Sequence, residues 1–411
     1  MNRLGLGVFV LLGLPLALLW PAGCSQQRAG QNADKAPQVR VRLLASQQQV
    51  LVSATASPVV ESSGERVPRR LDFPGDGGVA VSLSSGGWRV GSASFAVGEL
   101  TFTPASPGSV FINGSAYRGK YRFVPVSNDR FDVVNDVDID SYLMSVVSRE
   151  MLRDWSQEAY RAQAIVARTY ALYEARTAGI GRHYDLTDDT RSQVYGGIAS
   201  ETPKSRDAVL HTEGIVVAYG PRGNERIFKA YFSSCCGGVG QSAADAFGDP
   251  DIPPLREKRA GNLCNASPRF NWGPVVISKD ELTRRIRAWG ARRNRPEKDM
   301  GTVRSIDIAA VNTYQRPVRF YVTDSRGLRY SLSGEELRWA CNADANGGPI
   351  LYSSFVRPVT QGDSIHFVEG HGWGHGVGMC QWCAQSLATR GVRHEDIVRY
   401  SYPGAVLVRA Y

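Results

Sequence analysis

Glu150 stands where the surrounding pattern calls for an apolar side chain. The stretch SYLMSVVSREML, Ser141 to Leu152, has the spacing of an amphipathic helix, with Asp140 as its expected N-cap. At about 100° per residue, Tyr142, Leu143, Val146, Val147 and Met151 share one face. Ser141, Ser145, Ser148 and Arg149 occupy the other, and Glu150 falls in the middle of the apolar side. A carboxylate there is either paired with a cation, for which Arg168 is a candidate, or held protonated, because burial penalises the charged form. A glutamic acid that stays protonated near neutral pH can donate its proton to a leaving glycosidic oxygen. Only the surroundings of the carboxyl group separate a structural ion pair from a general acid.

Cysteine is the second chemistry-bearing residue type. Setting Cys24 aside leaves Cys235, Cys236, Cys264, Cys341, Cys380 and Cys383. An even number in an exported chain favours disulfides. Cys380 and Cys383 have C-x-x-C spacing, but no thioredoxin-like βαβ pattern surrounds them, so structural bridges outweigh a redox role. His375 lies between Gly374 and Gly376, which permit close backbone approach, a loop feature common at sites. The arginines at 284, 285, 287, 292, 293 and 295 read as a solvated helix face and its loop. With no nucleic-acid motif in the chain, the net charge of +9 does not imply a nucleic-acid partner.

The elements that must position these residues divide the 411 residues into four parts. Residues 1–24 have the basic start and apolar run of an export signal and end in PAGC, which resembles a bacterial lipobox with Cys24 as the lipidated residue. A polar tether follows over 25–38. Short alternating runs between turn residues predict a β-rich part over 39–135. From 136 the period changes to helical, with a second helix to Thr177 capped by Asp154 and Gln157 and a third starting at the Ser278/Glu281 capping box. Further strands follow, and the segment around 278–345 reads as an insertion in the 136–411 core. The fold class is α+β, and no transmembrane helix is expected after the signal.

Four blocks carry a family resemblance. DIDSYLMSVVSREMLRDWSQEAYRAQAIVARTYALYEAR, RSQVYGG at Arg191–Gly197, YFSSCCGG at Tyr231–Gly238 and GHGWGHGVGMCQWCAQ at Gly370–Gln385 together resemble the SpoIID/LytB family. Members of known activity are lytic transglycosylases that cleave peptidoglycan glycan strands, and others enhance cell-wall amidases. The resemblance makes Glu150 the catalytic residue. It implies substrate contacts for Arg168, Tyr170, Gln193, Tyr195, His375 and Gln381. It also matches Cys236 and Cys264 to family cysteines, for which a disulfide is favoured over zinc. Some relatives hold zinc near this block through cysteine and histidine, but here no histidine adjoins it. No other cofactor is expected. The implied partners are glycan strands, a cell-wall amidase in the alternative reading, and a membrane through the lipid anchor. If the enzyme were a hydrolase, Asp185, Asp188 and Asp189 would be the candidates for a second carboxylate, against a loop-capping role.

Overall fold

Val39, Val41 and Leu43 are buried along the strand Gln38–Gln47, while the residues between them face outward. That alternation is what a sheet with one covered face requires. The computed structural model describes residues 36–411 apart from 74–76, 180 and 349. The export signal, Cys24 and most of the tether lie outside the described residues. The strand belongs to a seven-stranded sheet in the order Leu186–Thr187, Gln38–Gln47, Phe131–Asp138, Lys120–Pro125, Leu100–Thr103, Val59–Ser62, Arg69–Arg70. Its neighbours are antiparallel except at Leu186–Thr187. A second, six-stranded antiparallel sheet covers it. Trp88 of that sheet packs edge-on against Phe123 and Phe131 of the first, at 6.2 and 5.1 Å between ring centroids.

Eight helices follow among the described residues: α1 (Ile139–Glu150), α2 (Gln157–Thr177), α3 (Pro203–His211), α4 (Ala243–Phe247), α5 (Lys279–Arg292), α6 (Gly334–Asn342), α7 (Gln381–Thr389) and α8 (His394–Ser401). The fold is α+β. The α1 cap is Asp138, which accepts from Ser141 N at 2.8 Å, not Asp140. Asp140 is displaced from capping by a stronger partner, described below. At α2 the N-cap is Ser156 rather than Asp154, and its N–H is satisfied by the Gln385 side chain at 2.9 Å. The expected Ser278 cap of α5 is present, accepting from Glu281 N.

The α2 helix is the internal axle. Ala159, Ala162, Ala164, Ala167 and Ala171 are buried along it, and their small side chains let α1, α3, α7 and α8 pack against it. Residues from Ile277 to Phe367 build a second hydrophobic core around Leu282, Ile286, Trp289, Phe320 and Leu337. Much of the arginine cluster is consumed inside that module. Arg285 is buried and donates to Glu281 and the Cys341 carbonyl, and Arg287 donates to the Met300 carbonyl. No helix of the described residues is long and apolar enough to cross a membrane.

Candidate active site

Glu150 is the last residue of α1, because Met151 turns to an extended conformation. Its Oε1 accepts from Val194 N at 3.2 Å, and the Gln381 amide also hydrogen-bonds the carboxyl group. Burial raises its pKa, and these two donors and the Arg149 charge oppose the rise. The partial negative charge at the C-terminal end of α1 acts in the raising direction. Among the described residues Glu150 makes no ion pair. The cation proposed as its partner is used elsewhere: Arg168 is fully buried and binds Asp140 at 2.8 Å, with further bonds to Tyr411, Thr212 and the Val209 and Ile215 carbonyls.

On the side of α1 that reads as polar, Ser145 is buried, Ser141 and Ser148 are half-buried and Arg149 is exposed. Ser145 bonds Ser200 at 2.7 Å and accepts from Gly196 N at 3.0 Å, so the serines clamp the 196–200 turn and leave Glu150 facing the opposite direction. There it opens on a cleft of about 1380 Å³. Tyr170, Val194, Ser234 and Gln381 share its wall with Glu150, and Trp289, Trp339 and Arg293 of the second module also line it.

The residues implicated by the blocks separate into two groups. Tyr170, His375 and Gln381 line the cleft with Glu150. Arg168, Gln193 and Tyr195 do not; they are buried joints of the scaffold. Gln193 accepts from Tyr142 OH and donates to the Ala167 carbonyl, and Tyr195 OH donates to Asn135. With every polar atom engaged inside, these three have no group to offer a glycan. His375 accepts from Val377 N at 3.0 Å through Nδ1, and burial pushes its pKa down to about 4, so it is neutral at pH 7. The glycines near it are sterically required: at Gly376 and Gly378 φ is positive, and a Cβ would collide with the Arg316 guanidinium and the Tyr231 carbonyl.

Asp185 pairs with Arg40 at 2.5 Å, and Asp189 binds Arg191 and Thr187. Asp188, pushed up to about 6 by burial, is not among the cleft-lining residues. Trp373 also belongs to the glycine-rich block Gly370–Gln385. It is 48% exposed and lines the cleft. A lone aromatic in a glycine run was the signal available, since glycine leaves a large side chain nothing to pack against.

The disulfide expected between Cys236 and Cys264 is not formed. Their sulfurs are 3.6 Å apart, and the six cysteines among the described residues are free. Cys383 lies 4.0 Å from Cys236, and Cys380 completes a buried group of four. Spacing could not show this, because the strand pairing Ser233↔Cys380 is what brings the two cysteine-bearing segments together.

A family model described as stage II sporulation protein matches residues 127–219, the segment that carries α1, Glu150, α2 and Val194. Stage II sporulation protein D of Bacillus subtilis is 26% identical over 75% of this chain and 83% of its own length. The chain belongs to the SpoIID family. An uncharacterized protein of Brachyspira hyodysenteriae is 28% identical over 72% of this SpoIID protein and 73% of its own length. The amidase enhancer of B. subtilis is 26% identical over 64% of it, but this SpoIID protein spans only 40% of that longer chain.

Proposed function

We propose that this protein is a lytic transglycosylase of peptidoglycan, acting on glycan strands stripped of their stem peptides. The observation that carries the reading is Glu150: a half-buried carboxyl with raised pKa and no ion pair among the described residues, opening on a cleft larger than the ordinary small-molecule pocket. Glu150 protonates the oxygen leaving muramic acid C1, and the C1–O bond breaks. The 6-hydroxyl of the same sugar then attacks C1 and returns its proton to Glu150. The product is a 1,6-anhydromuramic end, no water is consumed, and the carboxyl is regenerated protonated. An intramolecular nucleophile removes the need for a second carboxylate. The other cleft carboxylates already have partners: Asp249 accepts from Tyr231 OH, Asp245 from Ser242, and Glu336 from Ser333 N. In this reading the chain is exported and anchored through Cys24.

Mass spectrometry of denuded strands incubated with residues 36–411, which form one compact unit, tests the reading. Anhydromuramoyl products from wild type and none from Glu150→Gln support it. Reducing ends would make the protein a hydrolase. The relative named amidase enhancer favours one alternative, a noncatalytic activator of a cell-wall amidase. Under it the strands stay intact and Glu150→Gln keeps the stimulation of the amidase.

Two further outcomes follow from the geometry. Cleavage requires protonated Glu150, so its rate falls as pH rises through the raised pKa. Gln381→Leu removes a donor that favours the carboxylate, and the falling limb of the pH–rate profile should move to higher pH. An unmoved limb would mean that this hydrogen bond does not act on the reacting group. Trp373→Ala should raise KM for glycan about tenfold, roughly 1.4 kcal/mol, with the melting temperature unchanged because the ring is half exposed. Steady-state kinetics on defined oligosaccharides measures it.

A further inference from the structure

Four cysteine sulfurs from three separate segments converge on one point. Cys236 follows the strand Phe232–Ser233, Cys264 ends a 3-10 turn, Cys380 caps α7, and Cys383 lies in its first turn. All four are buried, and their Sγ atoms lie within 4.8 Å of one another. A tetrahedral metal with sulfur ligands at about 2.3 Å requires sulfurs about 3.8 Å apart. The recorded separations of 3.6 Å (Cys236–Cys264) and 4.0 Å (Cys236–Cys383) bracket that edge.

The surroundings supply partners for negative charge on sulfur. Cys380 Sγ accepts backbone N–H bonds from Cys236 at 3.3 Å and Cys383 at 3.4 Å, and it sits at the N-terminus of a nine-residue helix. Both features stabilise negative charge on sulfur. Two cations also stand close by, and among the described residues neither makes an ion pair. Arg316 is fully buried and donates to the Cys236, Val239 and His375 carbonyls. Lys258 donates to the Ser401 carbonyl, close enough to the sulfurs to feel their charge. The carboxylate nearest in effect to Arg316, Glu335, is itself bound to Arg338. Four thiolates around a dication carry a net charge of −2, which these two cations balance.

We propose that Cys236, Cys264, Cys380 and Cys383 hold a structural zinc ion, and that this metal fixes the start of α7 and so the position of Gln381 beside Glu150. With four protein sulfurs the site is closed, leaving no position for substrate, which is the arrangement of structural rather than catalytic zinc. Gln381 lies between two ligands, and its amide bridges Gln163 (3.3 Å) and Glu150. The metal therefore acts on the carboxyl through a positioning residue. The zinc site itself does not rest on the transglycosylase reading.

Metal analysis of the full-length chain, purified without chelator, should give one zinc per chain, and Glu150→Gln should give the same. Replacement by cobalt should produce the thiolate charge-transfer and strong visible bands of a tetrahedral sulfur site. Cys264→Ser and Cys383→Ser should each lose the metal; if either fails to fold, the cobalt spectrum of the wild type still decides. Four free thiols without metal, or two disulfides by intact mass, would overturn the site. Chelation should speed amide exchange over residues 380–389 in both wild type and Glu150→Gln. Unchanged exchange there in a protein that has lost its zinc would overturn the positioning role.

Discussion

Glu150→Gln should lower glycan cleavage by about 10²- to 10⁴-fold, the usual contribution of a positioned general acid and base. Glutamine keeps the shape and can still accept from Val194 N, but it has no proton to give. The fold should not suffer. Burial raises the folded-state pKa of Glu150, so the folded state holds the proton more tightly than the unfolded chain. Stability from this group is therefore full below the unfolded pKa and is lost as pH rises through the folded one, where a partly desolvated carboxylate must form. The variant lacks that loss. Its melting temperature should equal or exceed wild type at neutral pH, with the gap in its favour widening from acid to neutral. Thermal melts across pH alongside product analysis check both halves. A variant that loses cleavage and melts far lower would instead mark Glu150 as a structural group.

Arg168→Met should destabilise the protein by about 3–5 kcal/mol, because it leaves the Asp140 carboxylate buried with its main partner removed. Arg168 also ties α2 to the Val209 and Ile215 carbonyls and, through Tyr411, to the end of the chain. Its loss is thus felt in several elements at once. Denaturant unfolding measures the effect. At a temperature where the variant remains folded, KM should stay near wild type, since Arg168 does not line the cleft. A stable variant with a raised KM would return Arg168 to the substrate.

The two expected effects rest on side chains that the sequence blocks mark alike and the structure separates. Helical periodicity placed Glu150 on a face where a carboxylate is costly, and the family blocks pointed to the same side chain. Both are local signals. Arg168, Gln193 and Tyr195 lie in equally distinctive blocks, but a block records that a position is constrained, not whether its side chain faces inward or toward a ligand. Arg168 faces inward because α1 presents Asp140 to it from 28 residues away. The same pull explains the misplaced cap of α1: Asp140 could not serve both the helix N-terminus and a buried guanidinium, and Asp138 took the cap.

By itself the sequence determined the α+β class, the β-rich N-terminal part, the helices that follow and the identity of the candidate acid. These rest on short-range periodicity, turn chemistry and the cost of a misplaced charge. Tertiary structure alone decided which block residues share a cleft with Glu150, and it brought Trp289 and Trp339 of the second module to that cleft. It also gathered Cys236 and Cys264, the expected bridge, into one four-sulfur cluster with Cys380 and Cys383, by pairing Ser233 with Cys380 across 147 positions of chain. Long-range strand pairing is set by the burial of whole faces, so no window of neighbouring residues encodes it.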